Sequence, residues 1–128
     1  MLGDAPVIAS LPVVDLDRAK KFYQEILGLK PIDQNPGGVT LESGNGTNLF
    51  LYPRGATKAD HTVAGFLVQD VEKEVRELKG KGVVFEEYNT PEIKTVDSIA
   101  TLGPMKGAWF KDTEGNILRV VQTTPSQP

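Results

Sequence analysis

Few side chains in this sequence are suited to chemistry, and they are scattered. His61 is the one histidine among 128 residues, and the absence of cysteine excludes disulfides, thiolate metal sites and a thiol nucleophile together. A histidine titrates near neutral pH and can act as a general base. His61, though, lies in the polar stretch 53–61 with no residue spaced to form a nucleophile–base pair, so a solvated linker residue is the plainer expectation. Arg119 stands inside the apolar run I-L-R-V-V. A guanidinium is always protonated; it repels a metal cation and attracts a carboxylate, phosphate or enolate bidentately. The alternative is that it pairs with an acidic side chain such as Glu42 or Glu87, or reaches solvent, because a buried charge without a partner is rare. Phe50, Tyr52, Phe66 and Trp109 fall on strand candidates. Those that face a pocket would stack on a planar ligand, while strand alternation turns about half of them toward the helices. At this level the parity of Trp109 against Phe110 stays open.

The elements that must hold these residues can be read from periodicity. Residues 7–13 are apolar and β-branched, a first strand, and Asp15 or Asp17 can cap the helix after it. Ala19, Phe22, Tyr23, Ile26 and Leu27 then recur on one helical face, and Gly28 ends it. Strands follow at 29–33, 39–42 and 48–52, separated by the turn signals Gly37-Gly38 and Gly44-Asn45-Gly46. After a linker at about 55–61 the order restarts. A strand at 63–69, an Asp70 cap, a helical stripe of Val71, Val75 and Leu78, and a stop at Gly80 or Gly82 lead to strands at 83–88, 107–110 and 116–122. The turn D-T-E-G-N (112–116) joins the last two, and the tail T-T-P-S-Q-P (123–128) is expected to fray. Residues 89–106 have no clear pattern and read equally as a flap over a pocket or as an extra hairpin around 95–102. Asp15 and Asp70 lie 55 positions apart, and Gly28 and Gly82 lie 54 apart. A β-α-β-β-β unit repeated in this way is a statement about fold, since each half buries its sheet against its twin.

Composition narrows the partners. The chain is 39% hydrophobic and 24% charged with a net charge of −3 and a pI near 5.1, which suits a single globular domain and not a phosphate-neutralising surface. No stretch approaches the roughly 20 apolar residues of a membrane helix, and the first residues lack the basic start of a signal peptide. The expectation is a soluble, cytoplasmic protein without nucleic-acid or membrane partners.

Three stretches carry a resemblance: V-V-D-L-D-R-A-K-K-F-Y-Q-E-I-L-G-L, F-L-V-Q-D-V-E-K-E-V and A-W-F-K-D-T-E-G-N-I-L. In that order they resemble the vicinal oxygen chelate superfamily, the glyoxalase, bleomycin-resistance and extradiol dioxygenase group, in which Pro usually stands at the Thr113 position and Asp at Glu114. The resemblance implies an α+β fold of two tandem βαβββ modules forming an eight-stranded open cup, with module one at about 6–54 and module two at about 62–124. It also implies metal ligands, His, Gln or Glu, on four strands. Matched one position at a time, these fall on Ile8, Phe50, Ala64 and Arg119, and neither Leu49 nor Leu51 would rescue a shift at Phe50. Such residues cannot hold a divalent metal, which needs nitrogen or oxygen donors.

The function implied is therefore a metal-independent small-molecule binding protein of the glyoxalase/bleomycin-resistance type, as in drug or metabolite sequestration. It needs no cofactor and works as a homodimer on a small anionic or aromatic ligand. Arg119, Phe50, Tyr52, Phe66, Trp109 and His61 are the candidate ligand-binding residues. The alternative is an isomerase, lyase or dioxygenase-like enzyme of this superfamily, with Arg119 stabilising an enolate and His61, Glu42 or Tyr52 moving a proton. A third possibility is a partner-binding module whose cup is filled by its own side chains. Glyoxalase activity is not expected, because it needs the metal.

Overall fold

The structure is a computed structural model, and residues 1–123 are described. The expected fraying of the tail lies outside the described residues beyond Thr123. The described residues form two compact units, one of residues 1–58 with 113–115, the other of residues 59–112 with 116–123. Together they make a mixed α+β fold with open sheets of four and five strands.

The first unit contains β1 (Ile8–Val13), α1 (Leu16–Lys21), β2 (Lys30–Asn35), β3 (Gly38–Glu42) and β4 (Asn48–Pro53). Its sheet runs β1-β4-β3-β2, with β1 parallel to β4 and the other pairs antiparallel. The cap is Asp15 and not Asp17: its side chain accepts from the N–H of Arg18 at 3.0 Å. The helix continues into a π-helical turn, Phe22–Ile26, and ends at Gly28, whose φ of +80° suits a residue without Cβ. Ala19 and Tyr23 are fully buried, while Phe22, Ile26 and Leu27 are only half-buried. Leu11, Val13, Val39, Leu41 and Leu51, each at most 1% exposed, form the sheet side of this core.

The second unit contains β5 (Thr62–Leu67), α2 (Val71–Gly80), β6 (Thr95–Val96), β7 (Ile99–Leu102), β8 (Met105–Lys111) and β9 (Ile117–Gln122). Its order is β5-β9-β8-β7-β6, with β5 parallel to β9. Asp70 caps α2 by accepting from the N–H of Lys73 at 3.2 Å, and Gln122 Oε1 accepts from the N–H of Val71 at 3.0 Å. Two expectations change here. Residues 83–88 do not form a ladder strand; a single bridge joins Phe85 to Phe110, and the N–H of Glu86 donates to the carbonyl of Trp109. Past that point the chain leaves β8, because Tyr88 exchanges hydrogen bonds with Thr95 instead. The segment 89–106 is accordingly a hairpin, β6–β7, and the described residues hold nine strands where eight were expected. Its turn places Asp97 and Ser98 at φ +51° and +75°, the left-handed pair of a tight hairpin turn without the usual glycine. Glu87 offsets that strain by accepting from Thr95 Oγ1 at 2.6 Å and from Ser98 N and Oγ at 3.2 and 3.0 Å.

Candidate functional site

In each unit the helix packs on one sheet face, and the candidate residues fall on the two faces unevenly. In the second unit Gln122 reaches α2, so its face, shared with Val120 and Leu118, is the helix side. Arg119 therefore lies on the far face, where its register partners are Trp109 on β8 and Gly65 on β5. This settles the parity: Trp109 is on the far face with Arg119, and Phe110 is on the helix side, edge-on to Phe85 with ring centroids 5.4 Å apart. Phe66 pairs with Val120 and so lies on the helix side, apart from Trp109 and Arg119.

The ligand position assigned by counting to Ala64 needs correction. Ala64 pairs with Leu118 on the helix side, and Gly65 is the β5 residue beside Arg119. The cause is a bulge between Thr62 and Ala64, which inserts one residue and exchanges the faces of those around it. His61 precedes β5 in an exposed loop, its Nδ1 3.8 Å from Asp60 Oδ1 and its side chain 72% exposed.

The far face around Arg119 is built from fixed neighbours. Trp109 is largely buried: its Nε1 donates to Thr62 Oγ1 at 3.1 Å, Tyr88 meets it edge-on at 5.6 Å, and Ala100, Ile117 and Ile93 pack against it. Burial pushes the Tyr88 hydroxyl above its ordinary range, with Glu86 adding to the effect. Arg119 is half-buried and its Nε is buried without a hydrogen-bond partner. Neither Glu42 nor Glu87 forms an ion pair with it, and no ion pair to Arg119 occurs among the described residues. On the opposite, α2 side of this unit, a groove of about 410 Å³ runs between Glu72 and the β6–β7 hairpin, crossed by an ion pair from Lys106 Nζ to Glu72 at 2.8 Å.

In the first unit Ile8, Phe50 and Tyr52 share the face away from α1, while Leu49 and Leu51 are core residues. Phe50 and Tyr52 stack with centroids 6.5 Å apart and ring planes 12° apart, a half-buried aromatic plate. Glu42 pairs with Asn48 on the same face, and Asn48 Oδ1 is buried without a partner. Gly38 allows this plate to lie flat: a Cβ there would stand 2.9 Å from Phe50 Cζ and 2.0 Å from the carbonyl oxygen of Leu51.

A divalent metal does not fit the four family positions. Ile8, Phe50 and either Ala64 or Gly65 offer no donor atom, and Arg119 is a permanent cation. Among the described residues no group of three or more His, Asp or Glu side chains could hold a metal ion. No helix among them is long and apolar enough to cross a membrane.

Sequence reasoning missed a buried ion at the start of α1. Glu114, grouped with the first unit, has a side chain with no exposed surface. Its Oε1 accepts from the N–H groups of Val14 and Asp15, both at 2.9 Å, and Arg18 Nε donates to its Oε2 at 2.8 Å. Burial pulls this carboxyl upward, but the hydrogen bonds from Arg18, Thr113, Asp15 and Val14 prevail and hold its pKa down to about 2. The only sequence signal was the departure from the usual hairpin residue at this position.

Two helix-capped βαβ-type units, each with an open sheet that keeps its helix on one face, define a paired-module α+β protein. The model of the Glyoxalase/Bleomycin resistance protein/Dioxygenase superfamily matches residues 6–120, and the chain belongs to that superfamily. It is 31% identical over 133 residues to the uncharacterized protein YurT of Bacillus subtilis (strain 168), covering 91% of this chain and 97% of YurT. Among solved structures it is similar to TnmS3, an antibiotic binding protein from Streptomyces sp. CB03234, at 25% identity and a TM-score of 0.65, covering 95% and 98% of the two chains. It also resembles the fosfomycin resistance protein FosX from Listeria monocytogenes, solved with Mn(II) and a dihydroxypropylphosphonic acid, at 18% identity and a TM-score of 0.68, covering 94% and 90%.

Proposed function

We propose that this protein binds a small organic ligand without a metal, in the manner of a sequestering protein, and does so as a cytoplasmic homodimer. The observation that carries this is Arg119, a half-buried cation whose Nε is buried with no partner and which forms no ion pair among the described residues. The guanidinium's terminal nitrogens suit a carboxylate or other anion, which would supply the charge partner that the described residues do not. The aromatic plate of Phe50 and Tyr52 supplies area on which a planar compound could stack. The likeness to TnmS3, an antibiotic binding protein, gives the reading a precedent on a similar fold.

The test is a thermal-shift titration of chelator-treated protein with Zn²⁺, Ni²⁺, Mn²⁺ and Fe²⁺, followed by a screen of anionic and aromatic compounds. A ligand at 100 times its Kd adds about 2.7 kcal/mol, a rise of several degrees in Tm for a domain of this size. No metal should raise Tm, and some aromatic acids should. A clear rise with one metal defeats metal independence, and a flat compound screen defeats the binding function. Sedimentation equilibrium should give twice the 13.9 kDa chain mass; a monomer removes the homodimer.

A further inference from the structure

Gly65 lies in the middle of a strand, where glycine is disfavoured unless a bulge or a close approach requires it. The bulge of β5 falls between Thr62 and Ala64, and Gly65 is past it. Its backbone is not left-handed, so a larger residue could adopt the same conformation. What a side chain there would meet is Arg119: a Cβ would stand 3.2 Å from Nε and 3.6 Å from Cγ. The stem and Nε of Arg119 thus occupy the space that a β5 side chain would otherwise fill.

We infer that Gly65 is a positioning residue that holds Arg119 ready for an oxyanion, and that the ligand of this face carries a carboxylate or phosphonate group. This rests on the small-molecule reading above and narrows it. With Nε buried beside β5 and without a partner, the terminal nitrogens are left to act as the planar fork from which a delocalised oxyanion accepts bidentately. A side chain at position 65 crowds Nε and displaces the stem, slightly for alanine and further for valine, while leaving the charge in place. Trp109, the single tryptophan and the β8 register partner of Arg119, fixes the other flank through its bond to Thr62.

The experiment compares 1-naphthoate with the neutral 1-naphthylmethanol by calorimetric titration at fixed ionic strength, on wild type, Gly65→Ala, Gly65→Val, Arg119→Met and the double variant Gly65→Val/Arg119→Met. Wild type should prefer the acid by at least about tenfold, the loss expected when a bidentate charged pair is removed. Gly65→Val and Arg119→Met should each erase that preference, and the double variant should lose no more than Arg119→Met alone. Tm of the glycine variants should stay level or rise, since strand propensity favours alanine and valine, so that stability and affinity move in opposite directions. Should valine destabilise the fold, Gly65→Ala gives the same reading through a several-fold loss. A preference that survives at position 65 but vanishes in Arg119→Met overturns the role of Gly65. Equal binding of the two probes by wild type overturns the oxyanion and leaves small-molecule binding standing, and failure of both probes overturns the aromatic acid class while the broader screen decides the function.

Discussion

In the first unit the sheet face away from α1 carries Phe50 stacked on Tyr52, with Gly38 beneath the phenyl ring; in the second the face away from α2 carries Arg119 over Gly65, with Trp109 pinned beside it. The scaffolding is the same: an aspartate cap, a helix ended by a left-handed glycine, and a large side chain lying over a glycine of the neighbouring strand. The chemistry is opposite, an apolar plate in one and, in the other, a cation with no ion pair among the described residues. The two glycines differ in what they answer to. At Gly38 a Cβ would strike backbone, the Leu51 carbonyl at 2.0 Å, whereas at Gly65 it would strike only the movable stem of Arg119. One glycine is demanded by the fold, the other by the side chain it accommodates.

The largest effect should therefore come from Gly38→Ala. With φ at +151° and a backbone oxygen in the way, β3 must shift away from β4, at a cost of about 3 kcal/mol or more. Tm should fall by about 10 °C or more, against no loss for Gly65→Ala. Similar falls in the two variants would erase the distinction between them.

Next in size is Glu114→Gln, which tests the buried carboxylate at the start of α1. A buried carboxylate accepting from two backbone N–H groups and Arg18 loses its charge but keeps one acceptor oxygen, and the cost should be about 3 kcal/mol at neutral pH. Because its folded pKa, about 2, is below the ordinary value of 4.5, the unfolded chain takes up the proton first. This stabilisation is fully present above about pH 4.5 and is lost as pH falls toward 2, so the gap between wild type and variant in urea unfolding should close over that window. A gap that stays constant from pH 6 to pH 2.5 would assign the cost to packing instead of charge.

How much of this could be read beforehand depends on the range of the interaction. The caps, the glycine stops, the doubled order and the strand runs rest on local periodicity, and Asp15, Asp70, Gly28 and Gly82 all occupy the expected roles. Strand 83–88 failed because Thr95 competes for the backbone of Tyr88, a contact no local pattern encodes. Facing on β5 was misassigned at Ala64 because one bulged residue reverses parity, and Gly65 went unnoticed for the same reason. Arg119 was legible as a candidate since a charge in an apolar run stands out. Glu114 was not, because its partners lie some hundred positions away and its sequence neighbourhood is an ordinary turn.

The smallest expected effect, and the sharpest check on the likeness of the two units, is the pair Asp15→Ala and Asp70→Ala. Each carboxylate accepts one helix N–H, from Arg18 at 3.0 Å and from Lys73 at 3.2 Å, and both bonds are exposed, so water replaces the lost acceptor. Each helix start also has a second acceptor from afar, Glu114 Oε1 for the N–H groups of Val14 and Asp15 and Gln122 Oε1 for that of Val71. With that anchor intact, each substitution should cost about 1 kcal/mol, and asparagine at either position should restore most of it. Chemical denaturation of the two variants should place their midpoints close together. If Asp15→Ala costs more than twice as much as Asp70→Ala, the hydrogen bonds of Glu114 depend on the cap, and the start of α1 is a cooperative network that α2 lacks.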